Sequence, residues 1–188
     1  MPCTSTVLPP TSFSLCDPGT NFGDVRRFLL TRNTSADTVA SPNLIASWTA
    51  RIDNDAIIPL SGAAPIRIFD VTGSIPAGES TEIRRSLDRV TYSTPKKTVT
   101  LRIDDLNATN LAMVSTIKAN PGVTYKAWFV VDGWMIGTNS GEDGLSVTIK
   151  ADHIVPESRE ELQYIELVVT YKGVEEFIAD PGLAELDV

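Results

Sequence analysis

The residue types able to do chemistry are few in this chain of 188 residues, and their spacing binds them into no known device. The single histidine, His153, has Asp152 beside it and Glu160 and Glu161 downstream. A nucleophilic relay would also need an activated serine or cysteine, and no serine stands in a Gly-x-Ser-x-Gly elbow. Cys3 and Cys16 lie at the far end of the sequence from His153. Their separation allows a disulfide, although two free thiols of a reducing compartment are the simpler reading. With His153 they lack the spacing of a zinc site. Asp132, Glu142, Asp143 and Asp152 would hold Ca²⁺ only if two turns met, and EF-hand spacing is absent. The pairs Asp53/Asp55 and Asp104/Asp105 are explained by turns and helix caps before acid–base catalysis. No Gly-Lys-Ser or Gly-Lys-Thr phosphate loop occurs. Tyr125, Trp128, Phe129 and Trp134 are dense enough for a sugar-stacking platform, but alternation along a strand sends one of Trp128 and Phe129 into a core. These readings imply neither an enzyme nor a cofactor.

Composition points to architecture instead. A chain with 42% hydrophobic and 21% charged residues is long enough to bury its own core. Its Thr, Ser, Val, Pro and Gly content leans toward β structure. The net charge of −8 argues against a basic groove wrapped on nucleic acid, though not against a surface past which nucleic acid slides. Residues 73–97 carry Arg84, Arg85, Arg89, Lys96 and Lys97 against three acids, whereas residues 151–188 carry two basic and ten acidic groups. This asymmetry predicts complementary surfaces, within one chain or between copies. No basic and apolar leader opens the sequence, and no stretch reaches the length of a membrane span, so synthesis in a cytoplasm is expected.

The elements follow from periodicity. A strand over 25–32 is apolar on both sides, which predicts cover on both faces. A short helix over 44–52 places Leu44, Ile45 and Trp48 on one face. Strands are expected at 56–60 and 66–72. Val99, Leu101 and Ile103 alternate with Thr98, Thr100 and Arg102 in a half-buried strand. Asp104-Asp105 stand at the N-cap position of a helix running to 119, with Leu111, Val114 and Ile117 buried and Asn110 outward. Asn120-Pro121-Gly122 stops it. Strand 123–131 turns through Asp132-Gly133 into 134–137, the type I′ hairpin signature. A strand over 145–150, a polar connector over 151–162 and a strand over 164–172 follow. The fold class is α+β and β-rich: an antiparallel β-sandwich or barrel-like core with one packed helix. Residues 1–22 read as an extended arm, 23–172 as the core, 73–97 as a protruding charged hairpin, and 173–188 as an acidic tail whose apolar residues form a docking segment.

This order of Pro-rich arm, strands, long charged hairpin over 73–97, strand, helix over 105–119, hairpin over 123–138 and last strand over 164–172 resembles the tail-tube and related tail proteins of tailed bacteriophages and phage-derived injection machines. The resemblance covers most of the chain and is architectural. It implies a homo-oligomer of hexameric rings whose sheets join into a barrel. The rings stack through arms, and a negatively charged lumen passes DNA as non-specific cargo. It implies a virion location, made in the host cytoplasm, with other tail or connector proteins as partners. Arg84, Arg85, Arg89, Lys96 and Lys97 would then meet an acidic surface of the next subunit. The insertion over 33–60 and the acidic tail depart from the pattern and fit a head–tail connector or tail-terminator protein. A carbohydrate or cell-surface binding module is a further alternative.

Overall fold

Alternating side chains build the strands, and the pairing of the strands runs in a ring. The computed structural model describes residues 24–33, 38–53, 66–78, 82–86, 89–131, 133–157 and 160–186. The expected arm over 1–22 and strand over 56–60 lie outside them. Strand β1 (Val25–Arg32) pairs on one edge with β2 (Arg67–Asp70). After Val71 the chain continues as β3 (Thr72–Ser74), which pairs with β6 (Lys96–Ile103). β6 pairs with β10 (Tyr164–Lys172), β10 with β9 (Leu145–Ile154), β9 with β7 (Thr124–Val131), and β7 with the second edge of β1. An Asp24–Ser74 bridge and a 3.0 Å bond from the Val71 N–H to the Arg26 carbonyl close the circuit. All these pairings are antiparallel, so the expected barrel-like core is a closed barrel. Gly73 is required at the closure: a Cβ there would sit 2.5 Å from the Thr100 carbonyl oxygen.

The barrel interior takes every second side chain. Leu101 and Ile103 of β6, Leu167 and Val169 of β10, Val147 of β9 and Phe129 of β7 meet there. Each such burial contributes about 1.5–3 kcal/mol. β1 and β7 also bury their other faces, as the two-sided apolar pattern of 25–32 predicts. Leu29, Trp128 and Val130 face outward into a second core made with Trp48, Ile66, Met135 and Leu183. The rings of Trp48 and Trp128 meet edge to face at 5.3 Å between centroids. Each indole N–H is satisfied, Trp48 donating to the Pro42 carbonyl (2.9 Å) and Trp128 to that of Gly141 (3.1 Å). The helix bringing Trp48 is α1 (Ile45–Thr49), shorter than expected, with Leu44 left exposed before it.

Helix α2 (Ala108–Ala119) follows β6. Its cap is Asn107 rather than Asp104 or Asp105: the Asn107 side-chain oxygen accepts from the Asn110 N–H at 2.7 Å, and Asp105 accepts from the Asn107 amide at 2.7 Å. The buried face is also turned relative to expectation. Asn110, Met113, Val114 and Ile117 point inward, and Leu111 is partly exposed. Asn110 faces the core because the Arg67 guanidinium donates to its side-chain oxygen, while its own amide donates to the Asp105 carbonyl at 2.8 Å.

Past the expected end at Lys150, β9 continues to Ile154 through the presumed connector. β7 pairs with β8 (Trp134–Gly137), with Val131 opposite Trp134 and Gly133 before it at φ +73°. The tail forms β11 (Glu176–Ala179) on the edge of β8, then a 3₁₀ turn over Leu183–Glu185. Asp180 accepts from the N–H groups of Gly182, Leu183 and Ala184, and Leu183 enters the second core. Leu183→Ala is therefore expected to cost about 2–5 kcal/mol in urea denaturation. Phe177→Ala, at an exposed position of the same tail, should change stability by less than about 0.5 kcal/mol.

Candidate assembly surface

The basic stretch over 73–97 divides into separate environments. Glu82–Ser86 and Arg89–Tyr92 form strands β4 and β5, paired antiparallel as a two-stranded sheet distinct from the main one. Arg84 and Arg85 lie on β4 and Arg89 on β5, with only their backbone among the described parts of the structure. Lys96 opens β6 and is exposed. Lys97 is engaged within its own chain. Its ammonium donates to both Glu175 oxygens at 2.8 and 2.7 Å, with side chains 19% and 12% exposed. Of the acidic tail and basic stretch, this contact is one meeting that occurs inside the subunit.

Glu175 also accepts from the Tyr171 hydroxyl. Burial, this hydrogen bond and the carboxylate charge together push the Tyr171 pKa far above its usual range. Burial alone raises that of Tyr125.

The other candidate groups are dispersed. His153 Nε2 lies 3.1 Å from the Gln163 side-chain oxygen on the surface, while neighbouring Asp152 pairs with Lys118 at 2.8 Å. Asp143 pairs with Lys126 at 2.7 Å, and Glu142 accepts from Asn139 at 3.0 Å. These acids of the supposed cation cluster are thus each tied to a different partner; Asp132 lies outside the described residues. Asp55 does too. Asp104 pairs with Arg102 at 2.6 Å. The aromatic platform is not assembled: Tyr125, Trp128 and Phe129 are buried, and Trp134 alone of the four is exposed, at 46%. Among the described residues no group of three His, Cys, Asp or Glu side chains is placed to hold a metal, and no helix is long and apolar enough to cross a membrane.

Two features emerge only in three dimensions. A polar cavity of about 180 Å³ lies between β2 and the start of α2, where Arg27 and Arg67 face Asp70 and Asp105. Arg27 pairs with Asp70 at 3.1 Å, so the cavity carries balanced charge. The second feature is the outer face of β6, β10, β9 and β7. Thr98 lies opposite Thr170, Thr170 opposite Thr148, and Thr148 opposite Thr124. This hydroxyl row crosses four strands and is bordered by Lys96, Lys150 and Lys172. Sequence reasoning had no signal for it, because cross-strand register decides which threonines become neighbours.

No protein-family model, curated protein or solved structure matches the chain.

The Tyr171–Glu175–Lys97 contact has a pH signature. An unfolded tyrosine ionises near about pH 10. The folded pKa is raised, so this contribution is complete below that value and is lost as pH climbs toward the folded pKa. The thermal midpoint is expected to fall between about pH 9 and 11, and less steeply in Tyr171→Phe. Melting curves of both proteins across that range test it.

Proposed function

We propose that the chain is a structural tail subunit of a bacteriophage-type particle, a tail-tube protein that forms stacked, hexameric rings. The observation that carries the reading is the contrast between a finished barrel and the β4–β5 hairpin. The barrel closes its own strand circuit and fills both its cores. Among the described residues the hairpin strands pair only with each other, in a stretch rich in arginine. An isolated two-stranded hairpin is marginal in water, so it gains its stability by packing on something else. In this reading that partner is the next subunit, met by Arg84, Arg85, Arg89 and Lys96. Lys97 instead ties the base of the arm to its own tail. The excess carboxylates of the chain line the lumen and keep DNA from sticking. A head–tail connector or terminator role would use the same surfaces in a single ring. The burial of three of the four platform aromatics weighs against the carbohydrate-binding alternative.

Negative-stain microscopy with light scattering at rising concentration is expected to show rings or hollow tubes. In Arg84→Glu/Arg85→Glu, stacking should be lost while circular dichroism and melting of the subunit stay unchanged. A double variant that stacks normally contradicts the assigned role of the arm.

A further inference from the structure

We propose that copies of this chain join head to tail, the β8–β11 edge of one copy seating Trp134 and Phe177 in the groove between α2 and β9 of the next. The inference rests on the ring-forming reading above and names the surfaces that make the ring.

The projecting half is an edge with two uncovered rings. Ala179 lies opposite Trp134 and Phe177 opposite Ile136, so these four side chains share one face of the β8–β11 pair. Ile136 is buried in the barrel core, whereas Trp134 is 46% and Phe177 58% exposed. Single exposed apolar residues are ordinary, but two aromatics at diagonal cross-strand positions form a patch. Among the described residues no strand pairs with the second edge of β11, which leaves a row of backbone groups for another strand.

The receiving half lies at the other end of β7. β8 pairs with β7 over Phe129–Val131, and β9 pairs with it over Thr124–Ala127. Beyond Thr148, β9 keeps β10 on one edge and has no described strand on the other. Here α2 and the β9–β10 face enclose a groove of about 400 Å³, lined by Ile117, Pro121, Ala151 and Val168, with Lys118 and Lys150 beside them. Its apolar floor suits aromatic side chains. Its charges are Lys118 and Lys150 against Asp152, a positive excess in a chain of net charge −8. The projecting edge carries exposed Glu176, and Glu185 follows it in the adjoining turn. Copies that repel overall can therefore approach at this pair of surfaces. The two patches differ and occupy opposite ends of β7, so the contact is heterologous and propagates into a closed ring or a filament.

The test uses the full chain with Cys3→Ser and Cys16→Ser, carrying Phe177→Cys, Lys150→Cys, or both. Mild oxidation is followed by non-reducing electrophoresis, alongside light scattering. The double variant is expected to give a ladder of covalent oligomers and each single variant only monomer. Trp134→Glu should raise the concentration needed for assembly by about tenfold or more. A covalent dimer from Phe177→Cys alone would mean that the edge pairs with itself, and would overturn the inference. So would the absence of a ladder in protein that light scattering shows to be oligomeric, which leaves the ring reading standing. A monomer at every concentration, in parent and variants alike, overturns both.

Discussion

Strand β1 is the constraint on which the structure depends. It is paired on both edges, with β2 and with β7, and it is buried on both faces, toward the barrel and toward the second core. Remove it and the strand circuit opens, the tryptophan pair loses its floor, and the turn from β2 into β3 loses the Arg26 carbonyl that the Val71 N–H reaches. The bend at β2–β3 exists because one strand must serve β1 first and β6 next. Gly73 permits the close approach to Thr100 that this change of partner demands.

With the barrel closed, other segments take positions that follow from it. α2 covers the part of the barrel where β9 runs on past β7, and it meets a buried arginine there, which explains an asparagine on its inner face. Residues 38–53 and the tail cover the outer face of β1 and β7 from opposite ends of the sequence. The Val39 N–H bonded to the Glu142 carbonyl at 2.7 Å ties that cover to the turn after β8. Among the described residues no second core is built on the outer face of β6, β10 and β9, and that face carries mostly polar side chains: threonines, lysines, Arg102, Glu166 and Asp152. Among the described residues the chain thus separates a filled core from a hairpin paired with itself and a β11 edge without a strand partner, the two features on which the proposed assembly draws.

Much of this was legible in the sequence wherever one residue's neighbours decide its place. Strands 25–32 and 164–172 were readable to the residue because alternation, or its two-sided absence, is local. The tight β7–β8 hairpin, with Gly133 at positive φ, and the Asn-Pro-Gly stop are likewise short-range chemistry. Sequence could not show that Asn110 turns inward and Leu111 outward, since the reason is Arg67 on a strand far away in the chain. It assigned Lys97 to a neighbouring subunit because Glu175, its partner here, lies 78 residues on. The tail read as a segment seeking a dock, and Leu183 does find one, on its own barrel. Trp134 and Trp128 look alike in sequence; only the second core distinguishes the buried ring from the exposed one.

The central claim is that the subunit has a complete core whose unfinished parts are completed by other copies. Hydrogen exchange with mass analysis, on dilute and on concentrated protein, tests this most directly. The account predicts that amides of β1 and β7 exchange slowly in both states, and that β4–β5 and β11 exchange fast when dilute and become protected on concentration. Protection of β4–β5 and β11 that does not change with concentration, or fast exchange throughout β1, would contradict it.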